Sequence, residues 1–515
     1  MTRHHGPVIR AAALASSIVL IAACSGTVPG ESATAGPLAS RTPTASPSAA
    51  ATRAPASLGS ARMTNCGVRA DSTVIRAWCG QLSVAEDPSK PSGRRIDINV
   101  AVVPATSPNP APDAVFMLAG GPGGAAVKDM AWTVARYAGI HATHDIVLVD
   151  QRGTGGSNPI WFGNAPDVGG LTTESAMTRL RAFVAAEIVR LNADPAMYTT
   201  AIAMDDVDAV RAALGYDKID LIGGSYGATA AQYYLRQHGD RVRAVVLDGA
   251  SLIDVPLLEY VAPNSQRALN ILFLRCAAEA ACAAAFPDLA GDLKRAVALL
   301  AKGDVTSDVQ STYSGDPIVI STLAFAGLIH GGLLQSDTAA NLPWVIHAAA
   351  KAQWHDVAVV MGQFEQPPVA GAAVMDVMIR CSEAWAAFDP EKVAANGAGS
   401  YLAGLEVAIA KGQALKCQLA PKGYVPANDA TPATSTVPVL LVVGEADPQD
   451  PPSNIADAGE DFPNSLVVIA PGQGHTVGHL GCLPGVIDAF IDAGALHGLD
   501  TSCVARMSLP PFKLP

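Results

Sequence analysis

Apolar and polar positions alternate strictly across residues 94–103, with Ile96, Ile98, Val100 and Val102 on one side. That period predicts a half-exposed strand. Residues 114–119 and 146–149 are instead apolar throughout, and the runs at 219–222, 242–247, 437–443 and 465–470 are mainly apolar, broken only by Asp220, Arg243, Pro438 and Ser465. Short continuous runs of this kind predict strands buried on both faces. Helical spacing separates them. Thr200 is a start signal for Ile202, Val207, Val210, Ala213 and Leu214, which stop at Gly215, and Ala228, Ala230, Ala231, Tyr234 and Leu235 come after the run at 219–222. Strand, helix and strand in this order predict a mostly parallel sheet with helices on both faces. From about 251 to 436 the pattern changes to alanine-rich helical segments with no clear strand ladder, and strands resume at 437. The expected organisation is one sheet domain, over 63–250 and 437–515, interrupted by a helical cap insertion at 251–436.

Composition leaves this picture intact. The chain has 515 residues, 50% apolar and 16% charged, enough for a large globular core. A net charge of −12 without any basic cluster argues against a nucleic-acid partner. The first 23 residues change the setting. A polar start with Arg3, His4, His5 and Arg10 precedes a short apolar stretch that ends in Leu20-Ile21-Ala22-Ala23-Cys24. This is the form of a signal peptide with a lipidation site at Cys24, and it predicts an exported protein held to a membrane by lipid. An ordinary secretory signal cut near Ala22 or Ala23 is the alternative. Residues 24–62 are dominated by Ala, Ser, Thr and Pro and are expected to form a disordered tether. Eight further cysteines remain: Cys66, Cys79, Cys276, Cys282, Cys381, Cys417, Cys482 and Cys503. An even set in an exported chain reads as disulfides. Pairing of neighbours is preferred: 66 with 79, 276 with 282, 381 with 417, and 482 with 503. No Cys-x-x-Cys or tight Cys/His set favours zinc, and no metal is expected.

The chemistry starts at Gly223-Gly224-Ser225-Tyr226-Gly227, set between the run at 219–222 and a helical segment. Gly-x-Ser-x-Gly in that context is a nucleophile elbow. A serine hydroxyl needs a base to take its proton and a carboxylate to orient the base. After the strand at 437–443 comes Gly444-Glu445-Ala446-Asp447-Pro448-Gln449-Asp450; Asp447 is the preferred acid, with Asp450 and Glu445 as runners-up. After 465–470 comes Pro471-Gly472-Gln473-Gly474-His475, which makes His475 the preferred base and His479 the alternative. The N–H of Tyr226, and one from Gly120-Gly121-Pro122-Gly123-Gly124 with Gly121 favoured, are the expected oxyanion donors. That glycine run lacks the Gly-Lys-Ser/Thr ending of a phosphate loop, and no cofactor is expected.

Together with Asp150-Gln151-Arg152-Gly153, these motifs resemble the prolyl and tripeptidyl aminopeptidase family of α/β-hydrolases, over roughly residues 66–503. The resemblance implies Ser225 as nucleophile, His475 as base, Asp447 as orienting acid, and Asp150 and Arg152 as structural braces. It also implies a peptide substrate whose α-amine is bound by carboxylates of the cap, for which Glu383 is a candidate, with an ordinary surface helix residue as the alternative reading of that position. Two departures stand out: Ala119 where the family often has His, and Asp450 where it often has Thr. The resulting expectation is a lipid-anchored serine aminopeptidase. An esterase or lipase on the same scaffold and a catalytically silent peptide-binding lipoprotein are the rivals.

Overall fold

A computed structural model describes residues 58–60, 62–70, 73–166, 173–365 and 372–515. Cys24 and most of the expected tether lie outside them.

Among the described residues, nine strands form the main sheet: β1 (Thr64–Ala70), β2 (Thr73–Ala85), β3 (Arg95–Val103), β4 (Ala114–Leu118), β5 (Asp145–Val149), β6 (Ile219–Gly224), β7 (Val242–Asp248), β8 (Val439–Gly444) and β9 (Ser465–Ala470). Their order is β1-β2-β3-β5-β4-β6-β7-β8-β9. Pairings from β1 through β3 to β5 are antiparallel, and from β5 onward every pairing is parallel. The fold is that of an α/β hydrolase. The central strands are mainly apolar because helices cover both faces, with Asp145, Asp220 and Arg243 near their starts and Asp248 at the end of β7 as the exceptions. One face packs on α1 (Thr200–Leu214) and α2 (Tyr226–His238) through Val207, Val210, Tyr233 and Tyr234. The other packs on a late helix, Leu483–Ala493, through Ile487, Phe490 and Ile491.

The chain between β7 and β8 is mainly helical and has its own core, built on Leu269, Leu272, Phe325, Ile329, Leu342 and Ile346. Two of its helices bear on the site: α3 (Val261–Ala278) and α4 (Thr322–Leu333). This region also carries an antiparallel hairpin, Val305–Gln310 with Pro317–Ile320. That corrects the expectation of no strand pairing here. The hairpin escapes the hydrophobic pattern because its first strand, VTSDVQ, offers few apolar side chains and buries none of them fully. Disulfides join Cys66–Cys79, Cys276–Cys282, Cys381–Cys417 and Cys482–Cys503, the neighbour pairing expected from the sequence.

Candidate active site

Parallel strands deliver their C-terminal loops to one end of the sheet, and β6, β7, β8 and β9 converge there. β6 runs to Gly224 and α2 starts at Tyr226, so Ser225 carries the whole reversal, at φ 55° and ψ −128°. The turn closes only without side chains at its shoulders. A β-carbon on Gly223 would collide with the carbonyl of Gly227, and one on Gly227 with the carbonyl of Leu118. The glycine run after β4 lies against the serine: a β-carbon at Gly120 would stand 3.3 Å from Ser225 Cβ and 3.9 Å from Oγ. Gly121, next to it, has φ 125°, a conformation L side chains rarely adopt.

His475 enters from the loop after β9. Its Nδ1 is 2.8 Å from Asp447 Oδ2, and both side chains are buried. Asp447 Oδ1 accepts the backbone N–H groups of Gln449 and Asp450, each at 2.8 Å. Burial pushes the Asp447 carboxyl up, but His475 and those two N–H groups outweigh it and hold it below its ordinary value. The backbone N–H of His475 donates to the carbonyl of Leu334 at 2.7 Å, just past the end of α4. The His475 loop also abuts the elbow: a β-carbon on Gly224 would lie 3.7 Å from Thr476 Cγ2.

The runners-up fall in different places. Glu445 accepts the N–H of Gly472 at 2.9 Å and props the loop that carries His475. Asp450 Oδ2 lies 3.6 Å from His475 Nδ1. His479 stands edge-on to Trp132, and burial holds its imidazole down at about 4.

Glu383 lies beneath the elbow. Oε1 accepts from Thr200 N at 2.6 Å, and Oε2 from Thr200 Oγ1 and Trp385 Nε1, both at 2.8 Å. Thr200 Oγ1 is in turn 2.8 Å from the hydroxyl of Tyr226. Glu383 therefore caps the N-terminus of α1 and steadies the residue after Ser225. Burial pushes its carboxyl up to about 7.

The Asp-Gln-Arg-Gly motif braces the same end. Asp150 accepts from Val127 N, Gly156 N and Asn99 Nδ2, each at 2.9 Å. Arg152, fully buried, makes a two-pronged pair with Asp206 at 2.7 and 2.8 Å. Gln151 Oε1 lies 3.2 Å from the Tyr226 hydroxyl. Sequence reasoning missed Asp248, at the end of β7. Its carboxylate accepts from Val477 N at 2.7 Å and Gly478 N at 2.9 Å, fixing the turn after His475. Burial raises that carboxyl to about 6. Its only sequence signal is an acid closing a buried strand, here with Gly249 next to it.

Residues 113–274 match the alpha/beta hydrolase fold family, and residues 406–503 match the TAP-like protein family. Serine protease Hip1 of Mycobacterium tuberculosis (strain ATCC 25618 / H37Rv) is 30% identical over 228 residues, 40% of this chain and 42% of the relative. Tripeptidyl aminopeptidase of Streptomyces coelicolor is 30% identical over 185 residues, 33% of this chain and 34% of the relative. The chain thus aligns with less than half the length of these curated relatives.

Proposed function

This chain belongs to the α/β-hydrolase fold family, and we propose that within it the protein is a serine peptidase releasing amino acids or short peptides from peptide N-termini. The observation that carries the reading is the convergence on one end of the sheet of a strained Ser225, a buried His475–Asp447 pair and a glycine loop against the serine. In this reading His475 takes the Ser225 proton as Oγ attacks the scissile carbonyl. Asp447 holds the imidazole with Nδ1–H toward itself and steadies the imidazolium. The N–H groups of Tyr226 and Gly121 receive the oxyanion. His475 then protonates the leaving amine, and water resolves the acyl-enzyme on the reverse path. The names of the two relatives, a serine protease and a tripeptidyl aminopeptidase, favour amide over ester substrates.

Glu383 is assigned to the elbow instead of the substrate's amine, since Thr200 and Trp385 occupy both its oxygens. The Leu20–Cys24 pattern supports export with a lipid on Cys24, and among the described residues no helix is long and apolar enough to cross a membrane. A Cys24→Ala chain should then leave the membrane fraction on cell fractionation.

The activity is tested with peptide anilides carrying free or blocked N-termini, beside aryl esters, each with a Ser225→Ala control. Cleavage of free anilides that falls at least about 10³-fold in the control is expected. Preference for esters, or indifference to blocking, would turn the reading toward an esterase.

A further inference from the structure

We propose that Asp450 is a second acid on the catalytic base, a positioning residue that shares with Asp447 the charge of the His475 imidazolium. The inference rests on the serine-hydrolase reading of Ser225 and His475 and deepens it.

Two carboxylates from one turn face the same ring nitrogen. His475 Nδ1 is 2.8 Å from Asp447 Oδ2 and 3.6 Å from Asp450 Oδ2. The second carboxylate is held as firmly as the first. Asp450 Oδ1 accepts from Ser251 Oγ at 2.5 Å, and Oδ2 accepts from Gln449 Nε2 at 3.2 Å. Ser251 Oγ in turn accepts from Asn454 Nδ2 at 2.8 Å. The backbone N–H of Asp450 donates to Asp447 Oδ1 at 2.8 Å, so the two acids move as one unit. A threonine here, as in the pattern the sequence resembles, could fill the space but would bring no charge.

The surrounding groups set the sign. Asp447 repels charge on Asp450 from the same turn, and His475 attracts it from the loop after β9. Asp248 closes β7 nearby, where it too feels the charges of His475 and Asp447. From the insertion, His330 on α4 feels Asp447 and His475, and burial keeps it neutral down to about 4. Arg267 on α3 donates to the carbonyls of Glu445 and Asp447, at 2.5 and 3.5 Å. Burial pushes the Asp450 carboxyl up to about 6, with His475 opposing the rise and Asp447 adding to it. Below that pH Asp450 is neutral. Above it the residue is an anion close to Nδ1, which favours the imidazolium and makes His475 a stronger base.

The test compares wild-type protein with Asp450→Asn, which keeps the shape and removes the charge. Two rates are measured from pH 4.5 to 9: fluorophosphonate labelling of Ser225 and hydrolysis of an aryl ester. The acid limb of both should move down by about one pH unit, and the plateau should fall about tenfold as the base weakens. Asp450→Thr is the second variant, used if the asparagine chain does not fold, and the same shift is expected. A folded variant whose acid limb stays at the wild-type pH would overturn the inference. Folded wild-type protein that is not labelled at all would overturn the reading beneath it, a result distinct from an unmoved limb.

Discussion

Ser225 holds φ 55° and ψ −128°, a conformation that non-glycine residues adopt at a cost of about 1–3 kcal/mol. The turn sets the serine against the glycine run after β4 and beside the His475 loop. Ser225→Gly should therefore raise the unfolding free energy by about 1 kcal/mol while abolishing activity, measurable by denaturant unfolding beside the anilide assay. Glu383 gives a pH prediction at the same scale. Its folded carboxyl sits at about 7 against an ordinary value of 4.5, because burial favours the proton. A raised value means the contribution to stability is fully present below about 4.5 and is lost as pH rises through about 7. Unfolding of wild type and Glu383→Gln across that window should show the wild type losing ground to the variant by at most about 3 kcal/mol. Parallel curves would contradict the assignment.

At the scale of elements, the elbow works because β6 and α2 approach to backbone contact. Gly227→Ala would drive a methyl into the Leu118 carbonyl. A loss of about 3 kcal/mol or more, with slower labelling of Ser225, is expected from thermal melts and labelling rates. Arg152 ties β2 and the N-terminal approach to α1 together, reaching Asp206 and the carbonyls of Glu86 and Met197. Arg152→Ala leaves Asp206 buried and unpaired, which should destabilise by about 3–5 kcal/mol. These central elements were legible in the sequence because burial on both faces forces runs that are apolar apart from single charges such as Asp220 and Arg243, and because the glycine patterns mark close approaches. The β1–β2 hairpin was not legible. Val68, Ala70 and Ala77 are its buried apolar positions, scattered among exposed polar ones. Asp248 was hidden for another reason. Its partners, Val477 and Gly478, lie 229 and 230 residues further along, and nothing local distinguishes it from a solvated acid. From the sequence Glu383 reads only as a candidate for the substrate amine or as a surface helix residue; it is buried, and its partner Thr200 is 183 residues away, so its place under the elbow could not be read.

Across the whole molecule, the sheet and the insertion meet at His475. The His475 N–H on the Leu334 carbonyl and the Gln335 amide on the His475 carbonyl, at 2.7 and 3.2 Å, tie the His475 loop to the end of α4. In the proposed mechanism the insertion therefore helps to place the base. The Cys381–Cys417 bridge, spanning 36 residues, fastens the segment that carries Glu383. Replacing both cysteines by serine frees that loop in the unfolded chain and should cost about 4 kcal/mol of stability, read from denaturant unfolding. Covalent labelling tests most directly whether Ser225 is the nucleophile. Folded protein treated with a fluorophosphonate and mapped by peptide mass spectrometry should carry one adduct, on Ser225, and Ser225→Ala should carry none. Folded wild-type protein without an adduct, or with the adduct on another residue, would contradict a catalytic Ser225.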